Sequence, residues 1–363
     1  NFGSLVPHST FFNFNSISRE IRRKLNNVDT EFLKYGEPQG DPQLRNYLLN
    51  KYIKKRNNNY ECFTTNGTLN SIFLSLSSIC SPGDFIAIEE PYYFGFKYML
   101  ESLNLKIVAI KSSVHKGISS EQLENAYNKH KFKAAILVSS FSNPTGSLVP
   151  NSEKEKIVGL ANKLNFYIIE DDVYGELYFG NTKPKAYLSY DSKGKVIYCN
   201  SISKTISPSL KVGWVIFPIH LKKKILNLKH GQLGSTSPVM ESIVFNLIRS
   251  KKINLKARRS AYCYSNNIKM VQNYFEVHGK GFFKTSNPRG GFSLWVQGPK
   301  QLNTEKLYKI LLKEKIVIAP GTLFSSKNSY KHFFRINCAF KSFEECKKSI
   351  HKIIQESFKL LED

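Results

Sequence analysis

Apolar residues in the middle of the chain come in short unbroken blocks, and between the blocks they recur at helical spacing. The blocks are "CFTT" (62–65), "FIAIEE" (85–90), "KIVAI" (106–110), "AAILVSS" (134–140), "FYIIED" (166–171), "KVIYCNS" (195–201) and "GWVIF" (213–217). Blocks of this length, apolar on both alternating faces, suit strands covered on both sides. Helical periodicity fills 42–56, 66–80, 95–103, 120–129 and 152–164, and "SPGD" (81–84) stops the second of these helices. The alternation from about residue 40 to 235 predicts an α/β fold, a mainly parallel sheet of seven strands flanked by helices. After residue 240 the style changes. A long helical tract (238–277) leads to "GFFKT", "GGFSLWV", a helix at 303–313, "IVIAP", "FFRINCA" and a last helix at 341–361. The expected domains are therefore a large one over 36–240 and a smaller α+β one from 1–35 plus 241–363.

Composition narrows the class. At 363 residues, with 41% hydrophobic and 22% charged, the chain is an ordinary globular protein too long for one small core. No apolar run reaches the roughly 18 residues of a membrane span, and no apolar stretch follows "IRRK" (21–24) as in a secretory signal. The six cysteines form no C-x-x-C pair, which predicts reduced thiols and a cytoplasmic setting without metal. The net charge of +25 raises nucleic-acid binding. However, the basic residues are dispersed ("IRRK", "KKR" at 54–56, "KKK" at 222–224, "RR" at 258–259) and make no recognition motif, so acidic ligands such as phosphates fit better.

In an open parallel sheet, ligands bind beyond the carboxyl ends of the strands. Asn143 of "FSNPTG" follows the fourth block, Asp171, Asp172 and Tyr174 of "EDDVY" follow the fifth, and Ser201, Ser203 and Lys204 of "NSISK" follow the sixth. "NGT" (66–68) opens a helix whose free amides suit an anion. Singly, each is an ordinary turn, cap or solvated lysine. Together, at successive strand ends, they are the set that pyridoxal phosphate needs: an amine for a Schiff base, a buried carboxylate for the ring nitrogen, an amide and a phenol for the ring oxygen, hydroxyls for the phosphate.

With these residues the chain resembles pyridoxal-phosphate enzymes of the aspartate-aminotransferase fold, from "LKYGEPQG" to "FRINCA". The resemblance implies that Lys204 carries the internal aldimine, that Asp171 meets the pyridine nitrogen, and that Asn143 and Tyr174 meet the ring oxygen. It further implies Gly67, Thr68, Ser201 and Ser203 at the phosphate, with Tyr93 of "PYYFG" stacked on the ring. Arg335, with Asn143, would hold the substrate α-carboxylate by a two-pronged contact, and "GSLVP" (3–7) would fold over the substrate. Tyr35 would reach the phosphate of the neighbouring subunit, which implies a homodimer with shared sites. Lys211 departs from the arginine usual in "SPGLRxG" and loses its planar fork. Arg289 of "NPRGG" is read as a surface turn before a second carboxylate clamp.

Within that fold, "KYGEPQGDPQLR", "TKPKAYLSYDSKGKVIYCNSISKTISPSLKVGW", "PRGGFSLWV" and "IVIAPGTLFS" resemble the cofactor-binding domains of MocR-type transcriptional regulators. In those proteins such a domain follows a winged-helix DNA-binding domain of the GntR kind, and "NFGSLVPHSTFF" stands about where the aminotransferase part begins. DNA binding is thus expected only through an N-terminal winged helix outside this chain. The expected function is a dimeric effector-sensing domain that binds pyridoxal phosphate and reacts with an amino acid. The alternative is a free-standing class I/II aminotransferase that passes the amino group to a 2-oxo acid. A lyase or oxidase reaction would use the same motifs.

Overall fold

A computed structural model describes residues 1–27, 34–53 and 59–362; the basic run expected at 54–56 lies outside the described residues. The seven apolar blocks all become strands: β1 (Tyr60–Thr65), β2 (Phe85–Glu90), β3 (Lys106–Lys111), β4 (Ala134–Val138), β5 (Tyr167–Asp171), β6 (Val196–Ser201) and β7 (Gly213–Pro218). They form one sheet in the order β1-β7-β6-β5-β4-β2-β3. β2, β3, β4, β5 and β6 pair in parallel, whereas β7 runs antiparallel to both neighbours. Every residue of β4, β6 and β7 is buried, as strands covered on both faces require. One apolar layer is built around Leu137, Ile168, Val196 and Ile216, the other around Ile86, Ile136, Ile197 and Val215. The covering helices include α2 (Pro42–Tyr52), α3 (Thr68–Ile79), α4 (Gly95–Ser102), α5 (Ser120–His130) and α6 (Asn151–Leu164).

The reversal of β7 shapes the site. Because the chain returns alongside β6, the 202–212 connection is a loop standing on the carboxyl edge of the sheet, and it carries Lys204. β1, antiparallel to β7, therefore points the same way as β6. Thr65 and Ser201 face Gly213 from its two sides, and the first turn of α3 opens beside the Lys204 loop.

Two helices were not marked by periodicity: α1 (Phe14–Asn26) and α7 (Lys222–Leu233). Few of their side chains are buried, and one that is in α7 is Lys229, fully buried with its ammonium on Thr64 Oγ1 at 3.4 Å. The long helical tract expected over 238–277 consists of two helices, α8 (Pro238–Arg249) and α9 (Lys251–His278), divided where Ser250 takes an extended conformation. β8 (Lys284–Thr285), β9 (Ser293–Gln297), β10 (Ala319–Pro320) and β11 (Phe333–Asn337) form a second sheet in the order β10-β11-β9-β8. "GFFKT" and "IVIAP" are each strand only over their last two residues. Helices α9, α10 (Thr304–Lys313) and α11 (Phe343–Glu362) pack on this sheet through Val271, Phe275, Leu307, Leu311, Ile350 and Ile353. Among the described residues no helix is long and apolar enough to cross a membrane.

Candidate active site

A cavity of about 340 Å³ opens at the carboxyl edge of the large sheet, against the N-terminal segment and β11. Its wall brings together eleven of the twelve residues to which the resemblance gives a cofactor or carboxylate role: Gly67, Thr68, Tyr93, Asn143, Asp171, Tyr174, Ser201, Ser203, Lys204, Lys211 and Arg335. Tyr35 is apart from them, fully exposed at 99%. Arg289 is also exposed and outside this wall; its carbonyl accepts from Phe179 N at 2.8 Å.

At one end, α3 begins without a side-chain cap on its first-turn amides. Gly67 stands there at φ 98°, and a Cβ on it would meet only open space, so glycine is required by the backbone conformation. Gly213 answers to a steric demand: its Cβ would lie 2.7 Å from the Gly67 backbone. Thr68 Oγ1 donates to Ser201 Oγ at 3.0 Å, which donates to Ser203 Oγ at 3.1 Å. Lys211, exposed and in the left-handed region at φ 52°, adds a cation on this side. Hydroxyls, uncapped amides and an ammonium make an anion cradle.

In the centre, Asp171 is buried at the end of β5 and accepts from Val173 N at 3.1 Å. Burial, with the charge of Asp172 beside it, raises its carboxyl to about 7. Asp172 points to the other side of the strand, where it accepts from Ser139 Oγ at 3.1 Å and Tyr198 OH at 2.9 Å. The Lys204 ammonium lies 5.9 Å from the Tyr174 ring centroid and donates to Leu5 O at 2.8 Å. Burial first, and the Arg335 charge second, lower it to about 8. Burial holds the Tyr174 phenol well above its usual range. The Tyr93 ring is wedged over Gly95, where a Cβ would come within 2.4 Å of it.

At the far end Arg335 is 1% exposed. Nη1 donates to Asn143 Oδ1 at 2.8 Å, Nη2 donates to Gly3 O, and Nε is buried with no partner. Desolvation lowers even this guanidinium to about 10. The residues that sequence reading did not mark as wall are Leu69, Phe94, Phe96, Val138 and Val173; Leu69, Phe94 and Val173 adjoin marked residues, whereas Phe96 and Val138 are buried apolar residues that nothing in the sequence set apart from core.

A sequence model of the family Aminotransferase class I and II matches residues 10–353. The chain belongs to that family. The HTH-type transcriptional regulator YjiR of Escherichia coli (strain K12) is 32% identical over 298 residues, 82% of this chain and 63% of YjiR. The chain thus spans less than two thirds of that relative. A second HTH-type transcriptional regulator of the same organism, YdcR, is 29% identical over 98% of the chain and 77% of its own length. Among solved structures, the multiple substrate aminotransferase of Thermococcus profundus superposes with a TM-score of 0.92 over 99% of this chain and 91% of that one, at 21% identity. The fold is that of the aminotransferases, and relatives carry both kinds of name.

The donor set fits the cofactor of this family. A carboxyl raised to about 7 by burial is kept ionised by a cation placed against it, and a protonated pyridine nitrogen would be such a cation. The anion cradle suits a phosphate, and the amine that burial brings down to about 8 suits a carbonyl carbon. Family and donor set together indicate pyridoxal phosphate.

Proposed function

We propose that this chain is the effector-sensing domain of a MocR-type transcriptional regulator, which holds pyridoxal phosphate and reacts with an amino acid. The observation that carries the reading is the convergence of Lys204, Asp171, Tyr174 and Arg335 on one cavity, in a chain whose relatives include HTH-type transcriptional regulators. In this reading the bound group supplies an electrophilic carbonyl carbon and a ring that accepts electrons. Asp171 holds a proton on the ring nitrogen, while Asn143 and Tyr174 orient the ring oxygen and Tyr93 covers its face. Gly67, Thr68, Ser201, Ser203 and Lys211 anchor the phosphate. Arg335, with Nε free and Asn143 bracing Nη1, takes the ligand α-carboxylate. Lys204 Nζ, neutral in a sizeable fraction above pH 8, would be the amine that holds the bound group at its carbonyl carbon, with loss of water, and once the ligand's own amine has replaced it there it would be free to carry a proton at the ligand α-carbon.

Further parts of the reading are a large domain over 36–240 with a smaller one from 1–35 plus 241–363, and a homodimer in which the exposed Tyr35 reaches the partner's phosphate. DNA contact would come through a winged helix upstream of this segment. The six free cysteines suit a reducing, cytoplasmic setting. A second reading, a working aminotransferase, is favoured by the completeness of the constellation: lysine, carboxylate, phenol and carboxylate clamp are all in the wall. Visible absorption of the purified chain with pyridoxal phosphate, before and after amino acids with and without a 2-oxo acid, separates the two. A cofactor band that amino acids convert once supports the sensor, and continuous conversion of the 2-oxo acid supports the enzyme. No band, or a borohydride-fixed adduct elsewhere than on Lys204, overturns both.

A further inference from the structure

The N-terminal segment lies as a strap across the cavity. Phe2 N donates to Val317 O at 2.8 Å and Asn337 N to Phe2 O at 2.9 Å. Asn337 Nδ2 donates to the carbonyls of Ser4 (2.7 Å) and Val6 (2.8 Å), and His8 N to Ala339 O at 2.8 Å. Gly3 sits so close to β10 that a Cβ would come within 2.7 Å of Val317 Cγ1 and 2.9 Å of Ile318 O. The strap is therefore pinned, and its side chains are held in place before any ligand arrives.

Its carbonyls meet the two cations that the proposed function assigns to the ligand. Gly3 O accepts from Arg335 and Leu5 O from Lys204. A ligand with its carboxylate at Arg335 and its amine in the place of Lys204 Nζ at the cofactor's carbonyl carbon has its α-carbon between those contacts, so its side chain leaves toward the strap and what surrounds it. That wall is apolar. Leu5 packs among Phe11, Phe141 and Tyr174, and Phe94 lines the same cavity. At the mouth, Val6 and Leu69 remain 44% and 42% exposed. Among the described residues the cavity wall carries three cationic side chains, Lys204, Lys211 and Arg335, and one acidic one, Asp171. All four have roles toward the cofactor or the α-carboxylate, which leaves no charge for a distal carboxylate or ammonium. A charged side chain brought here would be desolvated without a partner, while an apolar one would cover Val6 and Leu69.

Resting on the reading of the site given above, we propose that its amino-acid ligand is monocarboxylic with an uncharged apolar side chain, and that Leu5 and Val6 of the strap determine this specificity. The test titrates the chain loaded with pyridoxal phosphate with L-leucine, L-methionine and L-phenylalanine, and in parallel with L-glutamate, L-aspartate and L-lysine, following the cofactor absorption. The apolar set should bind at least ~10-fold more tightly, the scale on which apolar pockets discriminate. Val6→Lys, at an exposed position that leaves the core intact, should narrow the gap for glutamate by a similar factor. A preference for glutamate, aspartate or lysine, or ratios unmoved by Val6→Lys, overturns the proposal while leaving the cofactor reading standing. Absence of the cofactor band overturns the site reading and this one with it.

Discussion

Replacing Lys204 by methionine should make the ligand-free chain more stable at neutral pH. The ammonium is half-buried between the Arg335 guanidinium and the Asp171 carboxyl, and its proton affinity falls from 10.5 to about 8. At ~1.4 kcal/mol per pH unit, holding the proton there costs the folded state at most roughly 3.5 kcal/mol below pH 8. Methionine fills a similar volume without charge but leaves Leu5 O without its donor, a loss of about 1 kcal/mol. The net expectation is a gain of about 1–2 kcal/mol at pH 7. Its sign changes with pH in a defined window. Between about 8 and 10.5 the unfolded lysine still binds the proton that the folded one has released, so the wild-type chain recovers stability as pH rises through that range. Urea unfolding of both proteins at pH 7 and pH 10, in the absence of cofactor, measures the difference. The advantage of Lys204→Met should shrink or reverse at pH 10. A variant less stable at pH 7, or a difference equal at both pH values, would show that the amine is well solvated and refute the reasoning.

Other perturbations address the remaining parts of the site. Asp171→Asn removes the charge facing the ring nitrogen and should weaken pyridoxal phosphate at least ~100-fold, about 2.7 kcal/mol, by absorption titration; unchanged affinity would place the ring elsewhere. The folded carboxyl keeps its proton to about 7, whereas the unfolded one loses it near 3.8. Ligand-free wild type therefore loses stability to this group as pH rises from 4 to 7, and Asp171→Asn should be the more stable protein at pH 8 but not at pH 4. Gly213→Ala drives a methyl against the Gly67 backbone at 2.7 Å and Asn200 O at 2.8 Å; a destabilisation of ~1–3 kcal/mol in urea is expected, with weaker cofactor binding from displacement of the α3 N-terminus. Lys211→Arg restores a planar fork on the phosphate side and should tighten cofactor binding severalfold; equal affinity would mean that the side chain faces solvent.

The strands and the site residues at their ends were legible from residue type alone. A run such as "AAILV" is buried on both faces wherever it sits, so its strand character does not depend on partners. Asn143, Asp171 and Lys204 were legible because polar residues at the end of such a run, or within a few positions after it, stand at the open edge of the sheet. The chain alone therefore determined the α/β core, the order of its strands along the sequence and most of the polar residues of the cavity. Tertiary structure decided what local pattern does not encode. It set β7 antiparallel and thereby stood the Lys204 loop beside the first turn of α3. It broke the 238–277 tract at Ser250 and made α7 around a buried lysine. Above all it joined residues far apart in sequence, laying Gly3 and Leu5 across Arg335 and Lys204. The depressed amine and raised carboxyl follow from that assembly, because desolvation acts only where distant segments together exclude water.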